Sequence, residues 1–114
     1  MPYMAPSLDT VRGKKLGDGS AVALLEAAAR TPPPMVWRPG EAVLHAATLT
    51  PGTAVATFHD GHFTGSPDSH AGLFVGHINQ GFIILDQGDG YVCSDSPVIH
   101  NGMPDDASHY YVIE

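Results

Sequence analysis

A chain of 114 residues with 43% apolar and 15% charged side chains is long enough for one domain, residues 1–114, and too apolar for disorder. Its 12 acids outnumber its 5 bases, and all five bases (Arg12, Lys14, Lys15, Arg30, Arg38) precede Pro39. The basic footprint that nucleic acid or an anionic membrane requires is therefore missing.

Residues 1–19 read as irregular, with a short turn from Ser7 to Gly13 and a loop at Gly17-Asp18-Gly19. The N-terminus lacks a basic stretch followed by an apolar run, so no signal peptide is expected. Ser20-Ala21-Val22-Ala23-Leu24-Leu25-Glu26-Ala27-Ala28-Ala29-Arg30 is the clearest helix. Ser20 is the candidate N-cap and Arg30 the cation at the far end of the dipole. Ala21, Val22, Leu25, Ala28 and Ala29 fall on one apolar stripe, and so many alanines imply a close neighbour. The prolines at 32, 33 and 34 stop the helix.

Met35 to Val43 reads as short pieces, with a helical turn among them. From Thr53 the period becomes twofold. Strands are expected over 53–58, 70–76, 81–86, 97–100 and 109–113, and His77 to Gly81 forms a five-residue turn. His59 to Asp68 is a polar loop. No stretch approaches ~18 apolar residues, so no membrane span is expected. One helix followed by four or five antiparallel strands is an α+β architecture.

A tight Gly-x-Gly loop thus feeds a helix start, a histidine opens a later strand, and an aspartate lies near the end of the next. Helix starts offer free amides and a positive dipole end, which lower a thiol pKa and can hold an oxyanion. An imidazole within reach can act as base, and a carboxylate can orient it. The thiol itself is missing.

Gly17-Asp18-Gly19-Ser20-Ala21-Val22-Ala23-Leu24 resembles the Gly-x-Gly-x-Cys-Val-Ala-Leu segment of small bacterial cell-wall amidases. These belong to the papain-like group that includes NlpC-type and CHAP peptidases, and the chain most resembles the amidase effectors delivered by type VI secretion. His70-Ala71-Gly72-Leu73-Phe74 is similar to the family's His-Ala-Ala-Ile-Tyr strand. Leu85-Asp86-Gln87 is similar to its Tyr-Asp-Gln segment, and the Tyr-Tyr-Val-Ile-Glu ending is alike.

The resemblance implies a papain-like cysteine amidase that cuts peptide bonds in peptidoglycan, with one main helix on the sheet. It implies that Ala21 stands where the family has its nucleophilic cysteine. His70 would be the general base and Asp86 would orient it, with Asp89 or a backbone carbonyl as alternatives for that role. Gly19, Ser20, Gly72 and Trp37 are the candidate substrate contacts, with Trp37 also readable as core. Ser20 departs from the glutamine that often precedes the nucleophile. No cofactor and no metal are implied. The expected partners are peptidoglycan stem peptides and, in a producing cell, a cognate immunity protein. A monomer, made in the bacterial cytoplasm and delivered to the periplasm of a target cell by a secretion system, is expected.

Alanine at 21 is read as an engineered replacement of cysteine, leaving the chain catalytically dead. The alternative is a natural pseudoenzyme that binds murein peptides or a protein partner without cleavage. An inhibitor or immunity-type role would not need remnants of a catalytic site.

His70 and Asp86 share a sheet face only in one of two hairpin phases, because side chains alternate. Pairing Gly76 with Phe82 places Gly72 opposite Asp86 and makes Asp86 a diagonal neighbour of His70, roughly 7–8 Å away. Gly72 would then leave room for the imidazole to lie flat. Other nucleophiles fit less well. Cys93 has no helix start beside it and reads as a small buried residue. Ser20 lies one residue before the reactive position. His59, Asp60 and His62, with Asp9 and Asp68, lack a ligand spacing that converges on a metal.

Overall fold

A computed structural model of the chain describes residues 2–88, 90–103 and 105–114. Its one α-helix, α1, runs Ala21–Ala28. The Ser20 hydroxyl accepts the Ala23 amide at 3.1 Å, which makes Ser20 the N-cap. The helix stops earlier than its apolar stripe suggests. Arg30 adopts a left-handed φ of 58°, and the Ala29 and Thr31 amides both donate to the Leu25 carbonyl. Thr31 precedes a proline, whose ring disfavours helical backbone before it. Arg30 thus lies beyond the last turn and does not serve the helix dipole as expected.

Among the described residues six antiparallel strands form one sheet in the order β1-β6-β2-β3-β4-β5. They are β1 (Pro39–Ala42), β2 (Ala54–Thr57), β3 (Ala71–Ile78), β4 (Gly81–Gly88), β5 (Tyr91–Ile99) and β6 (Tyr110–Ile113). The sheet has one strand more than expected. β1 is an edge strand beside the chain's own C-terminus, with Arg38 and Glu114 exchanging backbone hydrogen bonds of 2.8 Å. An edge position tolerates Pro39. β5 begins at Tyr91 rather than Pro97. It is the other edge, and its Ser94, Asp95 and Ser96 hide the apolar alternation that announces a strand. Gly13 and Lys14 lie along its outer side and exchange backbone hydrogen bonds with Cys93, at 2.8 and 2.9 Å.

Alternation divides the buried side chains between the two faces. Ala54, Ala56, Ala71, Leu73, Leu85 and Cys93 pack with Leu24 and Leu25 of the helix and its cap residue Ala29. Val55, Phe74, Phe82, Ile84, Val98, Tyr110 and Val112 form a second core with Val43 and Ala107. The small alanines on β2 and β3 let the helix sit close, as its own alanines do from the other side.

The β3–β4 hairpin turns more tightly than expected. Ile78 pairs with Gly81, leaving only Asn79 and Gln80 in the turn, with Gln80 at φ 66°. From there His77 pairs with Phe82 and Gly76 with Ile83, a phase that would put His70 and Asp86 on opposite faces. The ladder then shifts at Val75. Beyond it Phe74 pairs with Ile84 and Leu73 with Leu85, and continuing that register sets Gly72 opposite Asp86. A bulge absorbs one residue and reverses the side-chain phase of everything beyond it. The pairing deduced from sequence therefore holds at the site end of the hairpin, and a bulge rather than a longer turn produces it.

Asp106 organises the connection from β5 to β6. Its carboxylate accepts the amides of Asn101, Gly102 and Ser108 at 3.0, 2.8 and 2.9 Å, the Ser108 hydroxyl, and the His100 Nδ1 at 2.9 Å. Burial alone would push this carboxyl up. The donors from Ser108, Gly102 and Asn101 outweigh burial and hold it well below the ordinary carboxylate value.

Two predictions follow from this architecture. A Cβ at Gly81 would lie 1.9 Å from the Val98 carbonyl oxygen, whereas one at Gly76 meets nothing within 4 Å. Gly81→Ala is expected to lower unfolding free energy by about 1–3 kcal/mol. Gly76→Ala should stay within about 0.5 kcal/mol of the unchanged protein, both measured by urea denaturation. For Asp106 the folded pKa lies below the unfolded value, so the ionised form favours folding. That contribution is complete above the ordinary pKa of 3.8 and disappears as pH falls through the lower folded value. The stability gap between the protein and Asp106→Asn should narrow once pH drops below the ordinary carboxylate value, read by urea unfolding at each pH.

Candidate active site

Antiparallel pairing brings the start of β3, the end of β4 and the start of β5 to one end of the sheet. His70 immediately precedes β3 there, where a ring is not confined to either face. Thr57 fixes its backbone. The Thr57 amide donates to the His70 carbonyl at 2.9 Å, and the His70 amide donates to the Thr57 hydroxyl at 2.9 Å. Thr57 is fully buried.

The structure brings His70 and Asp86 together: the His70 Nε2 is hydrogen-bonded to the Asp86 Oδ2. Asp86 is only 3% exposed, while the His70 side chain keeps 28% of its surface open. The Ser96 hydroxyl donates to the other carboxylate oxygen at 2.8 Å, and the Tyr91 hydroxyl approaches Oδ2 at 3.5 Å. Burial, then the nearby Asp86 charge, pushes the Tyr91 phenol up, so it stays a neutral donor. An ionised Asp86 can only accept, which places the imidazole proton on Nε2 and leaves the lone pair on Nδ1. Among the described residues Nδ1 has no hydrogen-bond partner.

Position 21 reaches the same end of the sheet by another route. Gln87 follows Asp86 on β4 and points to the helix-bearing face. Its Nε2 donates to the Leu16 and Ser20 carbonyls at 2.7 and 2.9 Å, and its Oε1 accepts the Leu16 amide at 2.9 Å. This pins the loop entering α1 to the end of β4. Ala21 opens the helix and packs partly buried against the core. Of the first amides, that of Ser20 donates to Asp18 and that of Ala23 to Ser20, at 2.9 and 3.1 Å. The Ala21 and Val22 amides have no acceptor among the described residues. Hydroxyl and amide hydrogen bonds from Ser20 hold the Asp18 carboxyl below its ordinary range.

Two clefts lie near these residues, one at this end and one that runs from His70 and Asp86 along the face away from the helix to Ile99. One of about 490 Å³ is lined by Gly19, Lys15, Asp18, Gly88 and Tyr91. The other, about 280 Å³, is lined by His70, Asp86, Ser96, Asn101 and Tyr110. Tyr91 lies in the first and reaches Asp86 in the second, so it stands where they approach each other.

Two candidate substrate contacts are placed elsewhere. Trp37 is 4% exposed, its indole N–H donates to the Pro32 carbonyl at 2.8 Å, and its ring lies 4.9 Å from that of Phe63. It is a core residue rather than an open stacking surface. At Gly72 the volume a side chain would take is filled by Ile84, whose Cδ1 would be 2.9 Å from a Cβ there, so the space is not reserved for the imidazole. Ser20 is engaged as the cap. Cys93 is buried, burial raises its thiol pKa, and its S–H donates to Gln87 at 3.3 Å. Asp89 lies outside the described residues. In the sequence Thr57, Ser96 and Tyr91 carry no signal of a role, and Gln87 only its place in the Leu85-Asp86-Gln87 segment, because each acts through a partner distant along the chain.

No helix is long and apolar enough to cross a membrane among the described residues. No curated protein matches the chain. A solved structure, Type 6 secretion amidase effector 2 (Tae2), superposes with a TM-score of 0.86 over 100% of this chain and 95% of its own, at 23% identity. The α+β, papain-like architecture expected from sequence is thus the fold found. The family model described as domesticated amidase effector 2 matches residues 4–113, so this chain belongs to the domesticated amidase effector 2 (Dae2) family.

Proposed function

We propose that residues 1–114 act as one amidase domain built to cleave a peptide bond of peptidoglycan, with a cysteine at position 21 as nucleophile. The observation that carries this reading is the hydrogen bond from His70 Nε2 to buried Asp86, at the sheet end to which the helix start is pinned. Membership of an amidase effector family supplies the reaction class.

In this reading a thiol at the first helical position is acidified by the helix N-terminus and by His70. His70 Nδ1 takes the thiol proton while Asp86 holds the ring by Nε2–H. The sulfur attacks the amide carbonyl, and the oxyanion is met by the free amides of residues 21 and 22. Nδ1–H then protonates the leaving amine, the C–N bond breaks, and an acyl-enzyme remains. Water, deprotonated by His70, releases the acid and restores the thiol. No step calls on a metal or an organic cofactor. Gly19 lines the adjoining cleft, where the peptide would lie.

Ala21 removes the nucleophile and leaves the rest of the apparatus in place. Replacement of a native cysteine by design explains this pairing of an intact dyad with a missing thiol. Effector-type delivery to the periplasm of a target cell, with an immunity protein guarding the producer, accompanies the reading. The same observation also fits a natural pseudoenzyme that binds murein peptides or a protein partner, and one experiment separates the two.

Ala21→Cys should release soluble fragments from purified peptidoglycan, where the unchanged chain releases none. Adding His70→Ala should cut the rate by about 10²–10⁴, the usual range for a lost general base. Asp86→Asn should cost less, since the ring keeps its place but not its charge partner. Peptidoglycan binding without release by Ala21→Cys would instead establish the pseudoenzyme.

A further inference from the structure

We infer that Gln87 is a positioning residue that holds the helix start, and with it position 21, at the sheet end that carries the His70–Asp86 pair, an inference resting on the amidase reading of that pair. β4 presents the two residues consecutively. Alternation sends Asp86 to one face, where it grips His70, and Gln87 to the other, where it grips the loop entering the helix. The helix start and the base are thus tied to consecutive residues of one strand, β4.

The chemistry of the side chain suits that task. Gln87 is fully buried, and burying an unsatisfied amide is costly, yet every strong hydrogen-bonding group here is used. Both protons of its amide nitrogen go to backbone carbonyls, those of Leu16 and Ser20, and its oxygen takes the Leu16 amide and the Cys93 thiol. The Ser20 carbonyl also accepts the Leu24 amide at 3.2 Å in the first turn of the helix, so the carboxamide is bonded to the helix start itself. An apolar side chain could hold the same loop by area, but burial is non-directional. Hydrogen bonds fix distance and angle together, which a reacting pair requires.

The fold does not depend on this clamp alone. Leu24 and Leu25 are fully buried beneath the helix, and Gly13 and Lys14 are bonded independently to Cys93. Removing the carboxamide should therefore loosen the helix start without releasing the helix.

The test compares Gln87→Met, which keeps length and removes the hydrogen bonds, with Gln87→Glu, which keeps the acceptor for Leu16 and removes both donors. In the chain as it stands, the nuclear Overhauser effect between the Ala21 methyl and the His70 ring should be present and should weaken at least twofold in Gln87→Met. In the Ala21→Cys background, alkylation of the introduced thiol across pH, read by peptide mass to separate it from Cys93, should shift its midpoint upward by about one unit toward a free thiol. There kcat should fall about tenfold or more, with KM changing less than about threefold. A variant that folds with a lower Tm but unchanged methyl–ring effect, alkylation midpoint and kcat would overturn the inference and leave Gln87 a stability residue. Failure of both variants to fold would overturn it too. Should Ala21→Cys itself be inert while the methyl–ring effect is present and sensitive to Gln87, the amidase reading fails and the positioning geometry stands.

Discussion

Two adjacent residues on β4 carry opposite tasks, and the remainder of the site depends on them. Asp86 is buried and bonded to His70 and Ser96, while Gln87 is buried and bonded to Leu16, Ser20 and Cys93. Each is a polar group that would be expensive in a core without partners, and each finds its partners in a different part of the chain. A strand turns successive side chains to opposite faces, so one strand can grip a helix on one side and an imidazole on the other. Because the two are neighbours on one strand, the helix start and the imidazole are held at the same end of the sheet.

That arrangement requires the correct side-chain phase, and the phase is not free. The tight turn at Asn79 and Gln80 starts the hairpin in the wrong one, and the bulge at Val75 corrects it. The same shift keeps Leu85 with the helix-side core and Ile84 with the second core. Packing on both faces and chemistry at the sheet end are therefore satisfied by a single extra residue. Thr57 completes the frame by bonding the His70 backbone where the regular ladder ends.

Much of this was legible in the chain itself. Ser20 announced a helix start, the alanine-rich run announced a closely packed helix, and the twofold periods of β2, β3, β4 and β6 announced the sheet's centre. The resemblance to amidase effectors pairs His70 with Asp86, and strand alternation allows them one face. The edges were not legible. β1 contains Pro39 and Gly40 and is a strand only because the C-terminus lies beside it, and β5 spends Ser94, Asp95 and Ser96 at an edge with no alternation to read. Trp37 and Gly72 had the composition of cleft residues, yet one is covered by Phe63 and its own indole bond, and the other is filled by Ile84. Which face of a large ring meets solvent depends on neighbours far along the chain.

Read alone, the chain already held the local facts, where the helix begins and which segments alternate; the place of position 21 and the roles of His70 and Asp86 came from its resemblance to cell-wall amidases. The local facts depend on backbone sterics, side-chain period and residue chemistry, all encoded within a few positions. Only folding could place a bulge that sets the hairpin phase, join Asp86 to Ser96 and His70 together, and tie Gln87 of β4 to a loop about seventy positions earlier. Those are long-range hydrogen bonds between groups that carry no mark of each other in the chain, and only the folded sheet brings them within reach.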